Sequence, residues 1–274
     1  MLIDTHCHLD YVARFETKTE LTVAHLELIK ATIAQAHDAG VTKIINVGTG
    51  LAESKQSITI AQTFENVWAT VGLHPTDCFG QWRDEFQEIA KLAKQVKDLK
   101  VVGIGETGID FYHKPYEKDF QSDSFRAHIE LALEANLPLV VHIRDILHQD
   151  GAAQHAMTIM DQYRRDGMRG VIHCFQQNVE IAKEFVSWGF MLGIDGPVTY
   201  PNNHWLRDVV EAIPLESLIL ETDSPFLTPQ QFRGKPNQPA YLKFVAEQVA
   251  QVKGISYQEV AQQTTANAEK LFGV

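Results

Sequence analysis

The chain has 274 residues, 45% hydrophobic and 22% charged, proportions of a folded globular protein that exclude a disordered one. Its 35 acidic against 24 basic side chains give a formal net charge of −11, which excludes binding long nucleic acid through a broad basic face. Three cysteines, Cys7, Cys78 and Cys174, fit neither a disulfide framework nor a zinc finger; with no signal-peptide pattern at the start and no apolar run near the ~20 residues that span a bilayer, a reduced, cytoplasmic protein with no membrane role is expected.

Short apolar runs alternate with longer amphipathic stretches. Strands are predicted at Met1–Asp4, Lys43–Val47, Val67–Val71, Val101–Gly105, Leu139–His142, Gly170–His173, Phe190–Ile194 and Leu218–Glu221. They are rich in Val, Ile and Leu and lack polar alternation, as strands buried on both faces of a parallel sheet do. Helices are predicted over Leu21–Ala39, closed by Gly40, then Leu51–Phe64, Glu85–Val96, Phe120–Ala135, Ala153–Arg165, Val179–Trp188, Asn203–Ala212 and Pro239–Val252. A last helix over Ser256–Phe272 opens with a capping-box pair, Ser256 and Glu259. Strand then helix, eight times, predicts an α/β fold, a parallel (β/α)₈ TIM-like barrel forming one domain over 1–274. A doubly wound open sheet is the alternative.

Polar residues recur where these strands end. The first strand runs into Asp4-Thr5-His6-Cys7-His8, and in an extended segment residues two apart point to the same side, so His6 and His8 can reach one ion. His74 follows the third strand, Glu106 the fourth and Asp223 the eighth, while His142 and His173 end the fifth and sixth. In a closed barrel all these ends meet on one face. Five of the twelve histidines thus fall at strand ends; imidazoles and carboxylates converging in this way are what one or two divalent ions need. His25, His37, His113, His128, His148, His155 and His204 receive no role.

Gly103-x-Gly105-x-x-Gly108 matches a dinucleotide fingerprint in form only. No helix can begin inside it, and Glu106 would bring negative charge towards a pyrophosphate. These glycines are expected instead to let backbone pass close to the metal centre. Arg144, two residues past His142, and the loop pair Arg233 and Lys235 are candidate anion-binding cations, solvated surface charge being the other reading of the loop pair.

Together the motifs resemble the TatD family of metal-dependent hydrolases. The likeness rests on residues 4–8, 71–75, 105–110, 137–145, 173–175, 221–225 and 233–237, and on the closing 265–272. The resemblance implies two divalent ions (Zn, Mn or Mg). His6, His8, Glu106 and Asp223 would hold one; Glu106 would bridge to a second, completed by His142 and His173. His74 would line the substrate phosphate site. It also implies a deoxyribonuclease, of 3′-5′ exonuclease type in part of the family. Two positions depart from the family pattern: His128 stands in place of a glutamine, and Ile143 where a small polar residue is common. The former is not expected to touch the chemistry.

A pair of ions so held would activate water for in-line attack on phosphorus. Asp223 is the expected proton acceptor, since a carboxylate at a metal can serve as ligand and base; His74 and Arg144 would hold phosphate oxygens. Mixed imidazole and carboxylate donors suit zinc, manganese, iron, cobalt or nickel, while magnesium prefers oxygen; the resemblance still implies that magnesium or manganese can support activity. The expected substrates are DNA ends or another phosphoester, without an obligate protein partner. The alternatives are an amidohydrolase or esterase acting on a small molecule or modified tRNA, and a non-enzymatic barrel that only binds.

Overall fold

The computed structural model describes residues 1–14, 21–146 and 149–274; His148 lies outside them. Eight strands, β1 (Leu2–Cys7), β2 (Val41–Asn46), β3 (Val67–Val71), β4 (Val101–Asp110), β5 (Leu139–Arg144), β6 (Gly170–Ile172), β7 (Met191–Ile194) and β8 (Leu218–Leu220), pair in parallel in chain order. Helices lie between them: α1 (Leu9–Arg14), α2 (Val23–Asp38), α3 (Leu51–Thr63), α4 (Trp82–Ala93), α5 (Val96–Leu99), α6 (Lys118–Ala135), α7 (Gly151–Met160), α8 (Val179–Ser187) and α9 (His204–Ala212). Two more, α10 (Leu242–Lys253) and α11 (Tyr257–Phe272), follow β8. This is the (β/α)₈ barrel the alternation implied. Among the described residues no helix is long and apolar enough to cross a membrane.

Alternate residues of each strand face opposite ways, so every strand feeds two cores. Outward side chains such as Leu2, Ile44 and Val141 pack under the helices. Inward ones, Ile3, Ile45, Val102, Val140, Val171 and Ile219, meet Leu271 and Phe272 of α11. The last turn of α11 thereby plugs the N-terminal end of the lumen and leaves the opposite end for polar side chains. The predicted box at its start is present: Ser256 accepts from Glu259 N–H while the Glu259 carboxylate accepts from Ser256 N–H.

The ring closes through a short seam. Asp223 N–H donates to His6 O at 2.8 Å and His8 N–H to Ser224 O at 2.9 Å. The buried Asp4 carboxylate accepts the Thr222 N–H at 2.9 Å and its hydroxyl at 2.6 Å. Thr5 Oγ1 donates to Leu220 O at 3.0 Å. Side chains thus make up for the brevity of β8, which alone offers little backbone to β1.

Several element bounds differ from the sequence reading: β1 runs on to Cys7 and α4 opens three residues early, at Trp82. β4 continues five residues past Gly105, to Asp110. A register shift between Ile104 and Thr107 keeps it on β5, with Gly105 and Gly108 both at φ 146°. A Cβ on Gly105 would come 2.4 Å from Val140 O and one on Gly108 2.0 Å from His142 O. Only glycine permits that approach, so the motif serves strand packing beside His142. The helix expected to reach Arg165 ends at Met160 and continues as a 3₁₀ turn to Tyr163. The six-residue α1 was too short to show a helical period.

Replacing Asp4 by Ala would leave two buried Thr222 donors unpaired at the seam. We expect Asp4→Ala to lower unfolding free energy by about 2–5 kcal/mol, read from urea denaturation; a loss under about 0.5 kcal/mol would show that the seam does not depend on this carboxylate.

Candidate metal centre and active site

The closed ring brings every strand-end candidate to one face. β1 contributes His6 and, one residue beyond its end, His8; their Nε2 atoms lie 3.2 Å apart. Glu106, on the extended half of β4, stands between two groups of imidazoles. Its Oε2 is 3.3 Å from His6 Nε2 and 3.9 Å from His8 Nε2. Its Oε1 is 2.8 Å from His142 Nδ1, 3.5 Å from His74 Nε2 and 3.7 Å from His173 Nε2. Asp223 Oδ1 closes the first group, 3.4 Å from His8 Nε2 and 3.7 Å from His6 Nε2, and reaches His173 Nε2 at 3.9 Å. His6 and His173 stack, with ring centroids 3.5 Å apart.

Partners on the far side of each ring fix which nitrogen faces inward. His8 Nδ1 lies 3.1 Å from the Val47 carbonyl and His173 Nδ1 2.9 Å from Glu221 Oε1. Each Nδ1 therefore carries the proton, and in the neutral ring the Nε2 lone pair points into the cluster. His74 is set the other way. Its Nδ1 accepts the Thr76 N–H at 3.2 Å, so its proton sits on Nε2, a donor aimed at the centre. His142 meets a carboxylate at both nitrogens, Glu106 through Nδ1 and Asp110 through Nε2 at 2.9 Å.

The electrostatics ask for positive charge at this point. Burial opposes ionisation of Glu106, but His173, His74 and His6 hold it well below the usual carboxylate range. Asp223, also opposed by burial, is lowered by His8, His173 and His6. Burial works against a charged His173, yet Glu221, Glu106 and Asp223 push it up to about 10. Buried carboxylates of this density need compensating cations, whether protons on imidazole or a metal.

The cluster opens into a cavity of about 620 Å³ whose walls include His8, His74, Glu106, His142, His173 and Asp223. Arg144 lines it too, its guanidinium 4.4 Å from the Tyr112 ring. Arg233 and Lys235 are not among the described residues lining the cavity; Arg233 lies 4.4 Å over the Tyr200 ring. Ile143, the departure noted in the sequence, is nearly buried in the wall.

A family model described as TatD related DNase matches residues 3–273. The chain belongs to that family. Relatives match it along most or all of its length. The uncharacterized metal-dependent hydrolase YabD of Bacillus subtilis (strain 168) is 36% identical over 274 residues, covering 100% of both chains. The 3′-5′ ssDNA/RNA exonuclease TatD of Citrobacter rodentium (strain ICC168) is 35% identical over 248 residues, covering 88% of this chain and 90% of the relative. The crystal structure of YJJV, a TatD homolog from Escherichia coli K12, superposes with a TM-score of 0.86 at 28% identity, covering 100% of this chain and 98% of that one. The protein is thus a metal-dependent hydrolase of the TatD family, and its donor set fits that dependence. His6, His8 and Glu106 lie together as one potential ligand group and Glu106, His142 and His173 as another, and the neutral rings of His8 and His173, held through Nδ1, would turn Nε2 lone pairs towards them.

The sequence reading passed over four contributors. Asp110 and Glu221 stand inside recognised motifs but received no role, although Glu221 and Asp223 share the two-residue spacing of His6 and His8. His113, left without a role, lines the cavity and pairs with Asp110 at 2.9 Å. His128 supports the backbone next to the site. It is fully buried on α6, its Nδ1–H donating to Ser124 O at 2.7 Å and its Nε2 accepting the N–H of Leu73, next to His74, at 3.1 Å.

Burial lowers His128 to about 4 from an ordinary 6.5. Between those values the unfolded chain binds the extra proton, so stability falls as pH drops through that window, by about 3 kcal/mol in all. A glutamine can accept from Leu73 and donate to Ser124 without titrating. From pH 7 to pH 4.5 wild type should therefore lose about 2–3 kcal/mol more than His128→Gln in urea denaturation; equal losses would contradict a neutral buried His128.

Proposed function

We propose that the chain, acting as one catalytic unit, is a two-metal phosphodiesterase that trims single-stranded DNA from its 3′ end. The observation that carries this reading is the split of Glu106: one carboxylate oxygen faces His6 and His8, the other His142 and His173. A carboxylate so placed suits bridging two ions. His6, His8, Glu106 and Asp223 would hold one, and Glu106, His142 and His173 the other. Glu221 would keep the His173 lone pair inward, and Asp110 would hold the Nε2 proton of His142 so that Nδ1 is the ligand. When bound, two such ions lower the pKa of water and offset charge on the phosphoryl oxygens.

The side chains supply the rest. Asp223, partly open to the cavity, accepts the proton released by the attacking water. His74, its proton fixed on Nε2 by Thr76, donates to a non-bridging oxygen. Arg144, propped on Tyr112, binds another with a guanidinium whose geometry is set in advance. The DNA-end substrate is supported by the nuclease relative named above and by the charge of −11, which suits capture of one chain end better than tracking of a long duplex. Imidazole-rich donors favour zinc or manganese over magnesium.

A time course on 3′-labelled single-stranded DNA tests this. Protein reconstituted with manganese or zinc should release label stepwise, chelation should stop release, and added ion should restore it. Glu106→Ala and Asp223→Ala should each cut the rate by at least about 10³-fold, roughly 4 kcal/mol of barrier, with the fold kept by circular dichroism. Undiminished release in both variants would remove these residues from the chemistry.

A further inference from the structure

Among the described residues seven large hydrophobic side chains are strongly exposed, and four of them, Phe79, Tyr112, Ile146 and Phe226, lie on loops after β3, β4, β5 and β8. The apolar exposure thus gathers at the mouth that holds the metal-ligand candidates. Phe226, 47% exposed, lines the cavity three residues beyond Asp223. Its neighbours His8 and Tyr11 meet it at 67° and 63°, with centroids 6.2 and 6.3 Å away. Neither covers a ring face flat-on.

The ring stands on a fixed turn. Phe226 N–H donates to Asp223 O at 2.8 Å. The buried Asn237 amide donates to Phe226 O and to Thr222 O, both at 2.7 Å. Tyr11 behind it pairs with Thr49. An aromatic face held rigidly in water gains most by stacking on another planar ring.

Charge identifies that ring. Arg144 is the only Lys or Arg among the described residues lining the cavity. The metal site and Arg144 serve the scissile phosphate, and with no further cation in the lining the rest of the polyanionic backbone has little purchase, so binding beyond that phosphate draws on the bases. Bases stack on aromatic side chains without regard to sequence, and only unpaired bases offer a free face. We infer that Phe226, with Tyr11 behind it, is the stacking platform for an unpaired nucleobase next to the scissile phosphate, and that this ring sets the preference for single-stranded ends. The inference rests on the nuclease reading above and adds to it the residue that selects the substrate.

The test is a double-mutant cycle between ring and base. Single-stranded oligonucleotides carry either a normal 3′-end or an abasic residue at the terminal or penultimate position. Wild type, Phe226→Ala and Phe226→Tyr are compared by kcat/KM on each. Wild type should favour the normal end over one of the abasic ends by about 5- to 150-fold. Phe226→Ala should bring that ratio within about twofold of unity, and Phe226→Tyr should keep it. A purely structural role for Phe226 would change all rates and leave the ratio untouched, overturning the inference. Wild type trimming normal and abasic ends alike would overturn it and leave the nuclease reading standing. Wild type inert on every oligonucleotide would overturn both.

Discussion

Asp4 accepts the N–H and hydroxyl of Thr222, and Asp223 N–H and Ser224 O pair with the backbone of His6 and His8. These few bonds join the first strand to the last. His6 and Asp223 are 217 positions apart in the chain, yet their reactive atoms lie 3.7 Å apart. Open the seam and the first group of donors divides: two histidines stay with β1 while Asp223 leaves with β8. Glu106 and the second group, carried by β4, β5 and β6, would stay together. Barrel closure is thus a requirement of the site as much as of the core.

Within the closed ring the governing quantity is buried negative charge. Glu106, Glu221 and Asp110 are buried and Asp223 nearly so. Among the described residues only imidazoles pair with them as cations. The arrangement is stable when positive charge is supplied, and a divalent ion supplies it more compactly than several imidazolium protons. Folding, protonation and metal binding should accordingly be linked, since ions that bind only the native cluster stabilise it by mass action.

Much of this was legible in the sequence for physical reasons. Runs such as Val67–Val71 and Leu139–Val141 read as strands because both faces are buried, which removes polar alternation. His6 and His8 read as a pair because extended backbone repeats every two residues. The second half of β4 did not, because Gly105-Glu106-Thr107-Gly108 is polar and glycine-rich, and only its packing against Val140 and His142 makes it a strand. Glu221 and Asp110 escaped assignment because each acts on the far nitrogen of a histidine from another strand, Asp110 on His142 of the adjacent β5 and Glu221 on His173 across β7, relations that only the closed sheet sets. The exposure of Phe226 needs three dimensions as well. His128 reads as remote on an outer helix, and its contact with the backbone of Leu73 is one that only the fold reveals.

Metal stoichiometry tests the shared carboxylate most directly. Wild type, His173→Ala and Glu106→Ala would be dialysed to equilibrium against manganese and their bound metal counted by mass spectrometry, with circular dichroism to confirm the fold. Two tightly held equivalents are expected in wild type, one in His173→Ala, and none in Glu106→Ala, because Glu106 belongs to both groups. Retention of both equivalents by Glu106→Ala, or uptake of a single ion by wild type, would contradict a bridging role for Glu106.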